Sequence, residues 1–223
     1  MIALAVLGVA GAAWILTIRQ SQSMDEMAMG LGSVQSFAVS WVVMISAIML
    51  PSAIPFVLEF ARESERRRGW QVGTGALGIA YMAVWLGFGV ACYLAYTALR
   101  MPWPDQGLVG GVALALAGLY SLTPVKRASQ ARCHELCALH GPLPFNLLRG
   151  AVVPGLRYGI SCVGCSAALM IAMVVIGMSS LGWAVILSAL VLAYKFAPPL
   201  ALRHELILGL AIGALGVVYV VTA

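Results

Sequence analysis

The sequence predicts an all-α membrane protein, a polytopic bundle of about seven transmembrane helices in a single domain spanning residues 1–223. Of its 223 residues, 62% are apolar and only 9% are charged, whereas a soluble domain carries about 25% charged residues. The apolar residues come in runs long enough to cross a bilayer as helices. The alternating segments of about ten residues that a membrane barrel requires are not visible.

Seven apolar segments are candidate spans, and the short first and sixth segments leave six or eight spans as alternatives. The segments cover approximately residues 2–18, 35–58, 72–99, 107–123, 161–180, 182–197 and 205–221. The first segment lacks a basic region and a clear small-residue cleavage site, so we interpret it as a retained span and not a signal peptide. Candidates for close helix contacts are Gly73, Gly75, Gly110 and Gly111.

Basic residues are concentrated in three connections between the spans, namely 60–71, 124–160 and 198–204. Cytoplasmic connections carry an excess of Lys and Arg. We therefore expect a multi-pass protein of the bacterial inner membrane with a cytoplasmic N-terminus and a periplasmic C-terminus. The net charge of +5 arises in these connections, so the expected partner is the lipid bilayer and not nucleic acid.

The connection after the first span carries three methionines beside two acids in the stretch SMDEMAMG. Thioethers are soft ligands that suit Cu(I) over Zn, Mg or Ca. Met24, Met27 and Met29 are therefore candidate copper ligands facing the periplasm, and Asp25 and Glu26 would attract the cation. The alternative is an interfacial segment whose methionines dip into lipid.

The second span contains Pro51 and Pro55, which predict a kinked helix facing the bundle interior. Met44 shares a face with both prolines, whereas Met49 lies about 140° away around the helix. Both methionines are candidate relay ligands, and ordinary core packing is the alternative.

Two groups of thiols lie in and just after the second basic connection. Cys133, Cys137 and His140 would project to the same side of a helix. Cys162 and Cys165 stand at the predicted start of the fifth span, where the helix dipole favours thiolate. On the cytoplasmic side disulfides are rare, so the pairs indicate a metal site or a redox relay. Four thiolates, or three with one imidazole, would suit zinc, whereas two or three thiolates would suit Cu(I).

The fifth span also carries sulfur deeper along its length. Cys162, Leu169 and Met173 fall within about 20° of one direction, with Cys165 and Met170 on the flanks. This pattern predicts a face lined by sulfur that runs inward from the cysteines, with Met170 and Met173 as candidate ligands. A methionine stripe that only packs in the core is the alternative.

Three stretches resemble a known family: Trp41-x-x-Met44-x-x-Ala47-x-Met49-x-Pro51, Leu119-Tyr-x-Leu-Thr123-Pro124-x-Lys126 and Gly159-x-x-Cys162-x-Gly-Cys165-x-x-Ala-Leu-Met170. They are similar to a bacterial family of metal-binding integral membrane proteins catalogued as a domain of unknown function. Some of its members are thought to help load copper into tyrosinase-like oxidases. The resemblance covers roughly residues 24–205 and implies metal handling within the membrane.

These observations predict a Cu(I)-binding membrane protein that captures copper at the methionine-rich connection and passes it to the cysteine pairs. It would act as a chaperone or transporter for a copper-dependent client enzyme or membrane complex. No Ser-His-Asp set, phosphate-binding loop or pair of catalytic carboxylates is visible, so we do not expect an enzyme. Two alternatives remain: a membrane thiol–disulfide oxidoreductase, and a metal-free structural or assembly subunit of a larger complex.

Overall fold

The computed structural model describes the backbone of residues 2–24, 33–101, 105–137, 146–176, 181–196 and 202–222. Within those ranges it describes the side chains except at residues 20–24, 106, 181, 183, 184, 187, 193–196, 202–206, 208 and 222. The described residues form α-helices and no strand: α1 (Ile2–Met24), α2 (Val34–Ser64), α3 (Trp70–Ala98), α4 (Gln106–Ser121), α5 (Pro124–Cys137), α6 (Leu147–Ile176), α7 (Leu181–Phe196) and α8 (Leu202–Thr222). The predicted all-α class is confirmed.

The predicted number of about seven spans is not confirmed. Among the described residues, α1, α2, α3 and α6 are long and apolar enough to cross a membrane. The α4–α5 pair passes the same test only as one span that is broken by a bend of 67°. The described part of α8 contributes a shorter apolar stretch, Gly209–Val221. The helices thus account for four spans, or five with the bent pair.

The bend between α4 and α5 follows from the dipeptide Thr123-Pro124. A residue before proline is disfavoured in helical conformation, and proline is well tolerated as the first residue of a new helix. The Thr123 hydroxyl donates to the Tyr120 carbonyl oxygen at 2.7 Å and accepts from the Lys126 backbone N–H at 3.4 Å. Thr123 therefore ends one helix and caps the next.

The prediction that residues 124–160 form a connection between spans was wrong, because α5 and the first part of α6 lie in this segment. On α5, the residues Lys126, Gln130 and Cys133 are buried at helical spacing while the charged residues between them face outward. On α6, Arg149 and Arg157 are exposed along the outer face. Charges on one side lower the mean hydropathy of a helix and make it resemble a loop in a sequence window.

The bundle interior is built mainly from α2 and α6. In each of them 56% of the most apolar window is buried, against 11% in α1. The prediction that the proline-containing second span faces the interior is thus confirmed. The shared face expected for Met44 and Pro55 is not observed, since Met44 is buried and Pro55 is exposed.

Close helix contacts occur at most of the glycines proposed for them. A Cβ at Gly73 would lie 3.0 Å from Leu147 Cγ, and one at Gly111 would lie 2.8 Å from the Gly216 carbonyl oxygen. A Cβ at Gly110 would overlap the Tyr219 ring. The prediction was wrong for Gly75, which has nothing within 4 Å.

A buried hydrogen bond fixes the register of α3 against α2. The indole N–H of Trp41 donates to the carbonyl oxygen of Trp85 at 2.9 Å. Both side chains are buried, so an unpaired indole N–H would be costly there. Tyr81 lies one turn before Trp85 on α3 and is thereby held against α6.

Candidate metal site

Three thiols from two helices meet in the interior of the bundle. The thiol of Cys133, on α5, makes hydrogen-bonding contact with the thiols of both Cys162 and Cys165 on α6. Cys133 and Cys162 are buried, and Cys165 is half-buried. Because residues three apart lie on the same face of a helix, α6 presents its two sulfurs to α5 together.

Gly164, between the two cysteines of α6, permits α5 to come this close. A Cβ at Gly164 would lie 2.5 Å from Ser129 Oγ and 2.9 Å from Ser129 Cβ. The Tyr120 hydroxyl donates to the Gly164 carbonyl oxygen at 2.6 Å, which ties α4 to the same level of α6. The motif Cys-x-Gly-Cys therefore supplies both the two thiols of α6 and the glycine that allows α5 to pack closely beside them.

Cys162 and Cys165 lie near the middle of α6 and not at its start. The predicted start of this helix at residue 161 was wrong, and with it the argument that the helix dipole favours thiolate at these positions. The dipole acts within the first and last turns of a helix. Other groups must therefore stabilise a thiolate at this depth.

Tyr81 is a neighbour of the thiols that sequence reasoning missed. Its hydroxyl oxygen lies 3.1 Å from Cys162 Sγ, and both residues are buried. The two positions are far apart in the chain, so no local spacing joins them. The available signal was the hydroxyl itself, because a buried tyrosine hydroxyl in an apolar helix usually finds a polar partner.

Cys137 meets a different partner from Cys133, although both lie on α5. Its thiol donates weakly to the Tyr158 hydroxyl at a sulfur–oxygen distance of 4.0 Å. That hydroxyl donates in turn to the Ser52 carbonyl oxygen at 3.3 Å. The Tyr158 ring stacks on Phe56 with centroids 4.2 Å apart. The pairing of Cys133 with Cys137 that the sequence predicted is therefore divided between two environments.

The candidate methionines of α2 and α6 are all in the core. Met44, Met49, Met170 and Met173 are buried in the same hydrophobic cluster as Cys162. The inward face predicted for α6 is confirmed in its burial, since Leu169 is buried as well. Whether the four methionines act as ligands or only as packing residues stays a prediction.

The remaining candidates fall outside what the structure describes. Met27, Met29 and His140 lie outside the described residues, and Met24 ends α1 with a side chain that is not described. No predicted role of these four residues is tested by the structure.

The three thiols are in contact, but they are not arranged as the ligands of a metal ion. Within the described ranges, no group of three or more His, Cys, Asp or Glu side chains is arranged to hold a metal ion. The Cys165 thiol also donates to the Cys162 carbonyl oxygen at 3.1 Å. Its sulfur is also 3.4 Å from Ser166 Oγ.

Long apolar helices around a buried group of thiols define a helical bundle with soft metal donors in its core. The model of the PpoB2 family, described as a copper chaperone, matches residues 38–219. The chain therefore belongs to this copper chaperone family, which confirms the resemblance. No curated protein and no solved structure shows a significant match to it. The matched region contains every cysteine but excludes Met24, Met27 and Met29.

Proposed function

We propose that the protein is an integral membrane Cu(I) chaperone, not an enzyme, and that Cys133, Cys162 and Cys165 hold its cargo. The contact of the Cys133 thiol with the two thiols of α6 carries this proposal. Membership of a copper chaperone family supports copper as the metal. Thiolates are among the ligands that select Cu(I) over hard cations.

The number of thiols that meet favours Cu(I) over zinc. Structural zinc sites are almost always tetrahedral with four protein ligands. Three thiols are in contact here, and the Cys137 thiol lies 4.0 Å from the Tyr158 hydroxyl oxygen. Two or three sulfur ligands satisfy Cu(I), whereas zinc would need a fourth ligand in addition to these three thiols.

A graded path would bring copper to this centre. Weak thioether ligands at the periplasmic surface would capture the ion, buried thioethers would relay it, and stronger thiolates would retain it. The entry ligands are Met24, Met27 and Met29, and the relay ligands are Met44, Met49, Met170 and Met173. Cys137 and His140 would stand at the inner end, where a copper-dependent client enzyme or membrane complex receives the ion.

The direct test replaces both Cys162 and Cys165 with serine in the full chain. We expect the protein to insert into the membrane and to lose its copper, because two of three ligands are removed. Copper per molecule is measured by elemental analysis of protein purified under reducing conditions. Equal copper before and after the change would remove these cysteines from the mechanism.

Cys92 provides a matched control for this test. It lies on α3, is half-buried, and undergoes the same chemical change when replaced with serine. Copper content should stay at the wild-type value in Cys92→Ser. The same elemental analysis reads zinc, and wild-type protein that carries zinc in place of copper would contradict the choice of metal.

A further inference from the structure

The Tyr81 hydroxyl is the polar group from α3 that reaches the thiol cluster. Its oxygen lies 3.1 Å from Cys162 Sγ, and only 2% of Tyr81 and 0% of Cys162 is exposed. A thiolate has no proton and can only accept a hydrogen bond. Once Cys162 is ionised to bind metal, Tyr81 must therefore be the donor in this pair.

Trp85 also favours donation by the Tyr81 hydroxyl to the Cys162 sulfur. Its indole N–H is buried and interacts with the Tyr81 hydroxyl, one helical turn earlier on α3. The N–H does not reach full hydrogen-bond geometry with any group in the described part of the chain. Because an indole N–H only donates, its approach to the phenolic oxygen favours the orientation in which the phenolic hydrogen points to the sulfur of Cys162.

We propose that Tyr81 is a positioning residue of the copper centre, which holds Cys162 through an O–H···S hydrogen bond and strengthens the retention of Cu(I). This inference rests on the proposed function, since it takes Cys162 as a ligand. Cu(I) bound by two or three thiolates carries excess negative charge in a core of low dielectric. A hydrogen-bond donor to one sulfur disperses that charge, which the dipole of α6 cannot do at its midpoint.

The test is Tyr81→Phe, which removes the hydroxyl and keeps the ring. Loss of an outer-shell partner typically costs about 10- to 100-fold in metal affinity. We expect a loss of that size in the Cu(I) affinity of the purified full-length protein, measured by competition with a chromophoric Cu(I) chelator.

Tyr158→Phe is the matched control. The two tyrosine rings are neighbours with centroids 5.5 Å apart. The Tyr158 hydroxyl also makes a buried hydrogen bond, which goes to the Ser52 carbonyl oxygen, and it accepts weakly from the Cys137 thiol. We expect the Cu(I) affinity of this variant to stay close to that of the wild type. An equal loss in both variants would show a general packing effect and overturn the inference.

A second readout reports on the sulfur itself. Removing a hydrogen bond raises the energy of the sulfur lone pair, so the ultraviolet copper–thiolate absorption of Tyr81→Phe should move to lower energy. The band of Tyr158→Phe should stay in place. If Tyr81→Phe does not fold, Trp85→Phe keeps the phenol and should move the band in the same direction by less. An unmoved band in the variant that folds would overturn the inference.

The outcomes separate this inference from the proposed function. Copper retained by the Cys162→Ser/Cys165→Ser variant would contradict the proposed function, whatever Tyr81→Phe does. Copper lost in that variant, but held with wild-type affinity and spectrum by Tyr81→Phe, would leave the chaperone proposal standing and remove Tyr81 from it.

Discussion

At the scale of single residues, the two cysteines of α5 have different chemical surroundings. Cys133 is buried and contacts the sulfurs of Cys162 and Cys165. Cys137 is half-buried and faces the Tyr158 hydroxyl. A buried sulfur with two sulfur neighbours is suited to retention, and a more accessible one is suited to exchange.

This difference predicts unequal effects of replacing the two residues. Cys133→Ser should weaken Cu(I) binding at least about tenfold, or about 1.4 kcal/mol, because the ligand from α5 is lost. Cys137→Ser should retain most of the affinity and release copper to a chelator more slowly. Competition and stopped-flow measurements check the two effects. A larger loss of affinity in Cys137→Ser than in Cys133→Ser would contradict the assignment.

The buried methionines allow a test that separates packing from relay. Met173→Leu conserves volume, and such core substitutions usually cost less than about 1.5 kcal/mol of stability. We expect thermal unfolding to change little and copper transfer to slow, since a thioether is removed from the path. Met82→Leu on α3 is the control, because Met82 is half-buried and is not a proposed ligand. Equal transfer rates in both variants would assign Met173 to packing alone.

The sequence identified the cysteines that meet from their chemical type. It did not predict which side chains contact them. The thiols that meet were recognisable because the chain has only five cysteines, whereas the ligand roles of the methionines stay predictions. The contact of Cys133 with α6, in preference to Cys137, depends on how α5 lies against α6. The contact of Tyr81 with Cys162 could not be predicted for the same reason, since the two residues are far apart in the chain.

At the scale of helices, the approach of α5 to α6 decides whether three thiols can act together. Gly164 faces Ser129 of α5, and a Cβ there would stand 2.9 Å from the Ser129 Cβ atom. A Cβ cannot rotate away as a hydroxyl can, so the helices would have to separate. The separation would fall at the level of the cysteines.

We therefore predict that Gly164→Ala weakens Cu(I) binding at least about tenfold, or about 1.4 kcal/mol, with every cysteine in place. The chelator competition assay measures this loss. Gly75→Ala on α3 is the control, because nothing lies within 4 Å of a Cβ there. Adding Ser129→Gly to Gly164→Ala should restore much of the binding by removing the clash. Wild-type affinity in Gly164→Ala would show that the spacing of α5 and α6 does not control the centre.

The helices themselves were predictable to different degrees. The predicted span 35–58 lies within α2, and the predicted span 72–99 overruns the end of α3 by one residue. Continuous apolar runs leave little choice in such a chain. The first part of α6 escaped prediction, since Pro154 and two exposed arginines resemble a connection. The buried small residues on the opposite face, including Gly155, were the signal that was overlooked. That error moved the cysteines from the middle of a helix to its end.

At the scale of the whole molecule, the bend between α4 and α5 determines how the spans are counted. With the bent pair taken as one span, α5 lies inside the bundle against α6 and carries Cys133 to the thiols of that helix. With α4 taken as a span by itself, α5 would be a surface segment, which its buried Lys126 and Gln130 do not favour. Burial of α5 against α6 therefore favours counting the α4–α5 pair as one broken span.

The orientation of the molecule is the last prediction. The connection between α2 and α3 holds Arg66, Arg67 and Arg68, which positive-inside counting keeps in the cytoplasm. Crossings by α3, the α4–α5 pair and α6 would then bring the chain to the periplasm at the end of α6. The C-terminus stays on that side if α7 and α8 both cross the membrane or if neither does. Alkaline phosphatase folds only where its disulfides form, so its fusion after Ala223 should be active and its fusion after Gly69, which retains the three arginines, inactive. The reverse pattern would put SMDEMAMG in the cytoplasm and remove it as a periplasmic entry site.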